Sequence, residues 1–111
     1  MKQKLIAFIP VFFVLVNCSD IQKNTYKDKK EIIKDKAIQR GWIPEIIPDS
    51  ASQIREEHNL DLNTVKGIFV YNEKDEVNFI DNLEKSNNEY IWNNFVFKID
   101  KENNKVEFQN Y

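Results

Sequence analysis

The chain has 111 residues, 41% of them hydrophobic and 13% aromatic, enough for one small domain with a real core. Its formal net charge is -2, and without Lys2 and Lys4 the remainder carries 14 basic against 18 acidic residues. A mildly acidic body argues against nucleic-acid binding, a single cysteine excludes an internal disulfide, and two glycines leave no phosphate-cradling loop.

Residues 1–20, MKQKLIAFIPVFFVLVNCSD, open with a positive pair, Lys2 and Lys4. An uncharged apolar run of about 12 residues follows, from Leu5 to Val16, the length of a signal-peptide core. It is short of the ~20 residues a spanning helix needs, and Pro10 interrupts it. The run ends in Leu15-Val16-Asn17-Cys18-Ser19. This resembles the bacterial lipoprotein signal, in which a leucine three residues before a cysteine marks the cleavage site. Asn17 departs from the Gly, Ala or Ser of that pattern. The resemblance implies residues 1–17 as the cleaved signal and Cys18 as the acylated N-terminus. It also implies a cell-envelope location, on the outer membrane if the host has two membranes. Several acyl chains hold a protein at a bilayer where one holds it marginally. Residues 18–26 read as the lipidated cysteine and a polar tether, and 27–111 as a single domain.

Lys27 to Gln39 predicts a short helix, with Ile33 and Ala37 four apart and Gly41 as its C-terminal stop. Trp42-Ile43-Pro44 and Ile46-Ile47-Pro48 predict an extended segment docked on the core, because each proline pushes its predecessor out of the helical region. Ser50 and Gln53 have the spacing of a capping box. They predict a helix over Ala51 to His58, with Ile54 facing inward and Asn59 ending it. Thr64 to Tyr71 is β-branched and aromatic and predicts a central strand, with Gly67 leaving room for a close neighbour. Glu76 to Lys85 predicts a helix capped by Asp75.

The C-terminal residues alternate. Phe95, Phe97 and Ile99 point one way, and a polar turn from Asp100 to Lys105 leads to Val106-Glu107-Phe108, which predicts a hairpin. Asn93-Asn94 predicts a second tight turn. The sum is an α+β fold, with a small antiparallel sheet of three or four strands and two or three short helices.

Trp42-Ile43-Pro44, Ile47-Pro48, Ser50-Ala51, Ile54, His58-Asn59 and Asp61-Leu62-Asn63 resemble a segment of small uncharacterised bacterial proteins, often membrane-anchored. That resemblance implies no activity.

Few residues carry chemistry. His58 is the single histidine. It reads as a general base with Asp61, as a metal ligand with Glu57 and Asp61, or as a helix-end histidine bonded to its turn. Arg55 pairs with Asp61 or with a partner's carboxylate. Glu56, Glu57 and Asp61 lack the spacing of a calcium loop. Ser50 is eight residues from His58 and lies in no nucleophile motif. Trp42, Trp92 and Tyr90 form an aromatic patch or fill the core. The candidate functional cluster is Arg55, His58 and Asp61. Trp42, Pro44, Pro48, Ser50, Gln53 and Ile54 are assigned structural roles. The reading is of a monomeric, non-catalytic, lipid-anchored domain that binds another envelope protein, without metal or cofactor. Alternatives are an envelope hydrolase or metal-binding protein built on His58 and Asp61, and an inhibitor or immunity-type protein with an acidic face.

Overall fold

The computed structural model describes residues 21–111. The predicted signal peptide and Cys18 lie outside these residues. Seven strands form one antiparallel sheet: β1 (Ile21–Asp28), β2 (Ser52–Asn59), β3 (Thr64–Val70), β4 (Glu84–Ser86), β5 (Glu89–Trp92), β6 (Phe95–Asp100) and β7 (Lys105–Asn110). Two short helices accompany them, α1 (Lys29–Lys34) and α2 (Glu76–Asp81), the latter entered through a 3-10 turn at Glu73–Asp75. The strand order is β1-β2-β3-β7-β6-β5-β4.

This overturns the expected fold class. The described residues form a seven-stranded sheet with little helix, not a three- or four-stranded α+β domain. Three misreadings account for the difference. Residues 21–26, expected as tether, belong to β1 and pair along β2 from Ile21 opposite Asn59 to Tyr26 opposite Ile54. The helix expected over Ala51 to His58, with Asn59 ending it, is replaced by β2 (Ser52–Asn59), between β1 and β3. The end of the third expected helix is β4, where Glu84, Lys85 and Ser86 pair with β5. In each case the strand's gain comes from neighbours distant in sequence, so no local pattern announces it.

The Ser50–Gln53 capping box does not form. Ser50 Oγ instead accepts a hydrogen bond from the Asn72 backbone N–H at 2.9 Å. Gln53 has φ 50°, and the β2–β3 register shifts between Ser52 and Arg55. Gln53 therefore sits in a bulge, where one residue drops out of the ladder and bends the strand. Nor does Asp75 cap α2 with its side chain. Asn72 caps the preceding turn, its side chain accepting from Lys74 N–H at 3.0 Å.

One face of the sheet is covered. Ile54, Glu56 and His58 of β2, Val65 and Phe69 of β3, Val106 and Phe108 of β7, and Phe95 and Phe97 of β6 point into it. Phe79 of α2 lies edge-on to Phe69 at 6.0 Å and to Phe97 at 5.9 Å, which ties α2 to the middle of the sheet. Residues 35–51 form a strap over the β1–β2 side. Ile43, Pro44 and Ile47 of the strap are buried, so the proline segment docks on the core as expected, but it is not extended throughout: Ile47 N–H donates to Pro44 O at 3.2 Å and Ala51 N–H to Pro48 O at 3.0 Å, each closing a turn. Gly41 takes φ 81° where the turn after α1 closes, and its N–H donates to Ile38 O at 3.0 Å. Lys29 of α1 holds the strap's far end through Ile47 O at 3.0 Å and Asp49 Oδ1 at 2.9 Å. Hydrogen bonding to the Lys29 ammonium keeps the Asp49 carboxyl below the usual carboxylate range.

Gly67 has its expected role. A Cβ there would run into the Phe108 ring and lie 2.5 Å from Arg55 O. Opposite Gly67 across the β2–β3 pair stands Glu56, so the missing side chain lets the Phe108 ring lie directly on the strand.

Candidate functional site

Strand geometry decides which of the candidate residues meet. Successive residues of β2 point to opposite faces. Glu56 and His58 point inward and are 2% and 3% exposed. Arg55 and Glu57 point to the open face. Asp61 lies beyond the strand in the turn to β3, where its N–H donates to Asn59 Oδ1 at 2.9 Å. The expected Arg55–His58–Asp61 cluster is therefore divided among a buried face, an open face and a turn. His58 is not a helix-end residue, because the helix does not exist.

His58 has a different environment. Its Nδ1 lies 2.6 Å from Glu56 Oε2, and Glu56 Oε1 accepts from Asn24 Nδ2 of β1 at 2.9 Å. The imidazole lies flat under the indole of Trp42, with ring centroids 4.2 Å apart and planes 12° from parallel. The Arg40 guanidinium sits 5.0 Å from the Trp42 ring centroid and 3.7 Å from Asp35 Oδ1. Asp35 Oδ2 in turn accepts from the Tyr26 hydroxyl at 2.6 Å. Burial, and then the hydrogen bond to Asp35, push the Tyr26 hydroxyl well above its ordinary value. A continuous chain of polar and aromatic contacts thus links β1, the end of α1, the strap and β2.

The chemistry of this chain is limited. A carboxylate bonded to one imidazole nitrogen fixes the ring's orientation and leaves the other nitrogen as the working atom. Here that atom, His58 Nε2, is buried and has no hydrogen-bond partner among the described residues. Ser50, the hydroxyl weighed as a partner for His58, is engaged with Asn72. Among the described residues no group of three or more His, Cys, Asp or Glu is placed to hold a metal ion. The geometry fits an internal fastener between strap and sheet.

The residues missed at the sequence level are Glu56, Asn24 and Arg40 as parts of this network, and the open face. The signal was the spacing of Ile54, Glu56 and His58, which is two. Two polar residues among the three inward positions hid it.

The open face is a hollow of about 430 Å³. Lys23, Thr25, Arg55, Lys66, Lys98 and Glu107 line it, over a floor that includes Ile68 and Val96. Glu89 lines it too, although β5 and β1 are separated by four strands in the sheet. The sheet therefore curls around this face. Opposite charges stand across strands, Glu57 facing Lys23 and Lys66, and Glu107 facing Lys98. None of these pairs closes to ion-pair distance among the described residues.

Residues 20–70 match the family model of the YbbD head domain. No curated protein and no solved structure matches the chain. The YbbD-head match begins at the residue before β1 and ends on the last residue of β3. It takes in α1, the strap, the Glu56–His58 pair and the β2–β3 turn. It is a domain of bacterial origin with no assigned activity. Strands β4 to β7 lie outside the match.

Proposed function

We propose that the chain is a lipid-anchored, non-catalytic binding domain of a bacterial cell envelope. Acyl chains on Cys18 hold it at the membrane, and the open face of the sheet receives another envelope protein. The observation that carries the reading is the hollow itself. It sets unpaired charges of both signs around the half-buried Ile68 and Val96 on a rigid sheet, which is how a protein surface combines attraction with register. The bacterial origin of the matching domain and the Leu15–Cys18 motif support the envelope location.

The hydrolase alternative finds little support in the geometry, since His58 is 3% exposed and Ser50 is bonded to Asn72 rather than to it. The inhibitor alternative needs an acidic face. The hollow has Lys23, Arg55, Lys66 and Lys98 against Glu57, Glu89 and Glu107, so it is mixed rather than acidic.

Two measurements test the reading. Metabolic labelling with a palmitate analogue is expected to mark the full chain and to fail in Cys18→Ala; equal labelling of both removes the anchor. Cross-linking in membranes followed by co-purification is expected to recover a partner that Arg55→Glu with Lys98→Glu loses. Recovery of the same protein with both variants moves the binding surface elsewhere.

A further inference from the structure

We propose that the turn between β2 and β3 is a membrane-contacting tip that dips into the bilayer interface beside the acyl anchor. The inference rests on the lipid anchor proposed above. It starts from the exposed large apolar side chains. Among the described residues these are Ile21, Ile33, Leu60, Leu62, Val77 and Tyr111. Isolated examples are ordinary on a protein surface. Their placement is not scattered. Ile33 and Val77 belong to α1 and α2, which follow the far ends of β1 and β3. The other four share the opposite end of the sheet. Ile21 begins β1 and pairs with Asn59, next to Leu60 and Leu62 in the turn. Tyr111 follows β7, whose last residues run beside the start of β3.

That end is also the one the chain reaches from Cys18. Ile21 comes three residue steps after Cys18, with Ser19 and Asp20 between them, and at ~3.3–3.6 Å per step the chain reaches at most about 10 Å. Acyl chains on Cys18 would therefore hold the turn within reach of the bilayer surface. Leu60 and Leu62 are 60% and 70% exposed, and Tyr111 is 73% exposed with its hydroxyl donating to Asn93 O. Aliphatic tips flanked by a tyrosine are the composition that settles at the headgroup boundary.

The turn is built to enter a medium poor in hydrogen-bond partners. Asn59 Oδ1 accepts from both Asp61 N–H and Leu62 N–H, at 2.9 and 3.0 Å. Asn63 takes φ 54°, and its carbonyl accepts from Asn110 Nδ2 at 3.1 Å. These backbone groups of the tip are satisfied from within, as lipid contact requires. The same bonds hold the two leucines outward.

The test uses the full chain, acylated and reconstituted into phosphatidylethanolamine–phosphatidylglycerol vesicles carrying a nitroxide-labelled lipid. Acylation consumes the Cys18 thiol, so Leu62→Cys or Val77→Cys supplies the one thiol for an environment-sensitive fluorophore. The expected result is a blue shift and strong lipid quenching at position 62, with neither at position 77. Equal, unquenched emission at both positions with the protein retained on vesicles overturns the tip and leaves the anchor standing. Shielding of position 62 from aqueous iodide without lipid quenching marks a protein covering the turn and also overturns the tip. Fluorophore on Cys18, with the protein lost from the vesicles, overturns anchor and tip together.

Discussion

Trp42 lies flat on His58, at 4.2 Å between ring centroids, and this is the contact that fastens the strap to the sheet. The indole belongs to residues 35–51 and the imidazole to β2. Trp42→Ala removes the stack and uncovers the Glu56–His58 pair. The expected loss is about 3 kcal/mol, the lower end for deleting a large aromatic, because Trp42 is half-buried. Urea unfolding measures it, and Trp42→Phe should recover part of the loss.

Glu56 holds two partners at once, His58 and Asn24. Glu56→Ala leaves the buried His58 unsatisfied and takes this acceptor from the half-buried Asn24. A loss of roughly 3–5 kcal/mol is expected, as for breaking a buried pair from one side. Glu56→Gln keeps the volume and one acceptor and should cost clearly less. Equal midpoints for the two variants in chemical denaturation would show that the network is not holding β1 to β2.

The two glycines should respond in different ways. Gly67→Ala places a methyl against the Phe108 ring and Arg55 O in the middle of the sheet. Overpacking of this kind costs roughly 1–3 kcal/mol or more. Gly41→Ala meets nothing within 4 Å, but its φ of 81° disfavours a side chain, so a cost of about 1 kcal/mol is expected. Thermal melts of the two variants should rank Gly67→Ala as the less stable.

Gln53 separates the bulge from the capping box directly. In a helix, Gln53→Gly would lose a reciprocal cap and add the ~1 kcal/mol penalty of glycine. In the bulge, at φ 50°, glycine relieves strain and the change should stay within about 0.5 kcal/mol of neutral. Gln53→Val should destabilise the fold, because a β-branched side chain resists positive φ.

The strands that could be read in the sequence were those whose pattern is complete within a few residues. Thr64 to Val70 is β-branched or aromatic at every position but Lys66 and Gly67. The Asn93-Asn94 turn joins β5 to β6 with Asn93 at φ 56°, as the dipeptide predicts. Phe95, Phe97 and Ile99 alternate cleanly. β1 and β2 could not be read this way. IQKNTYKD has Tyr26 as its one buried residue, and SQIREEHN buries two polar side chains that pay each other's desolvation. Helix-forming Glu and Arg, with serine and glutamine at cap spacing, then favoured the wrong period. The candidate site failed for the same reason, since Arg55, His58 and Asp61 share a helix end only if there is a helix.

Alkaline pH should act through Tyr71. Burial first, and then the hydrogen bond to Glu76 at 2.6 Å, push its hydroxyl from 10.0 to about 12. The native state thus holds this proton more tightly than the unfolded chain does. Its contribution is complete below pH 10 and falls away as pH rises towards about 12. Tyr71→Phe should lower stability at pH 7 by about 1 kcal/mol, for the lost hydrogen bond. It should also flatten the decline above pH 10, leaving the part due to Tyr26. Unfolding free energy against pH for both proteins checks the crossing.

The strand order carries a consequence for how the molecule assembles. β1-β2-β3 and β4-β5-β6-β7 are each a run of neighbours in sequence, and a single pairing, β3 with β7, joins them. That seam is the centre of the sheet, where Phe69 stands beside Val106 and near Phe108. The first half cannot cover Phe69 until the last strand has been made. A chain emerging N-terminus first therefore keeps Phe69, a fully buried position, open until the end, and its folding rate should be set by closure of this one seam.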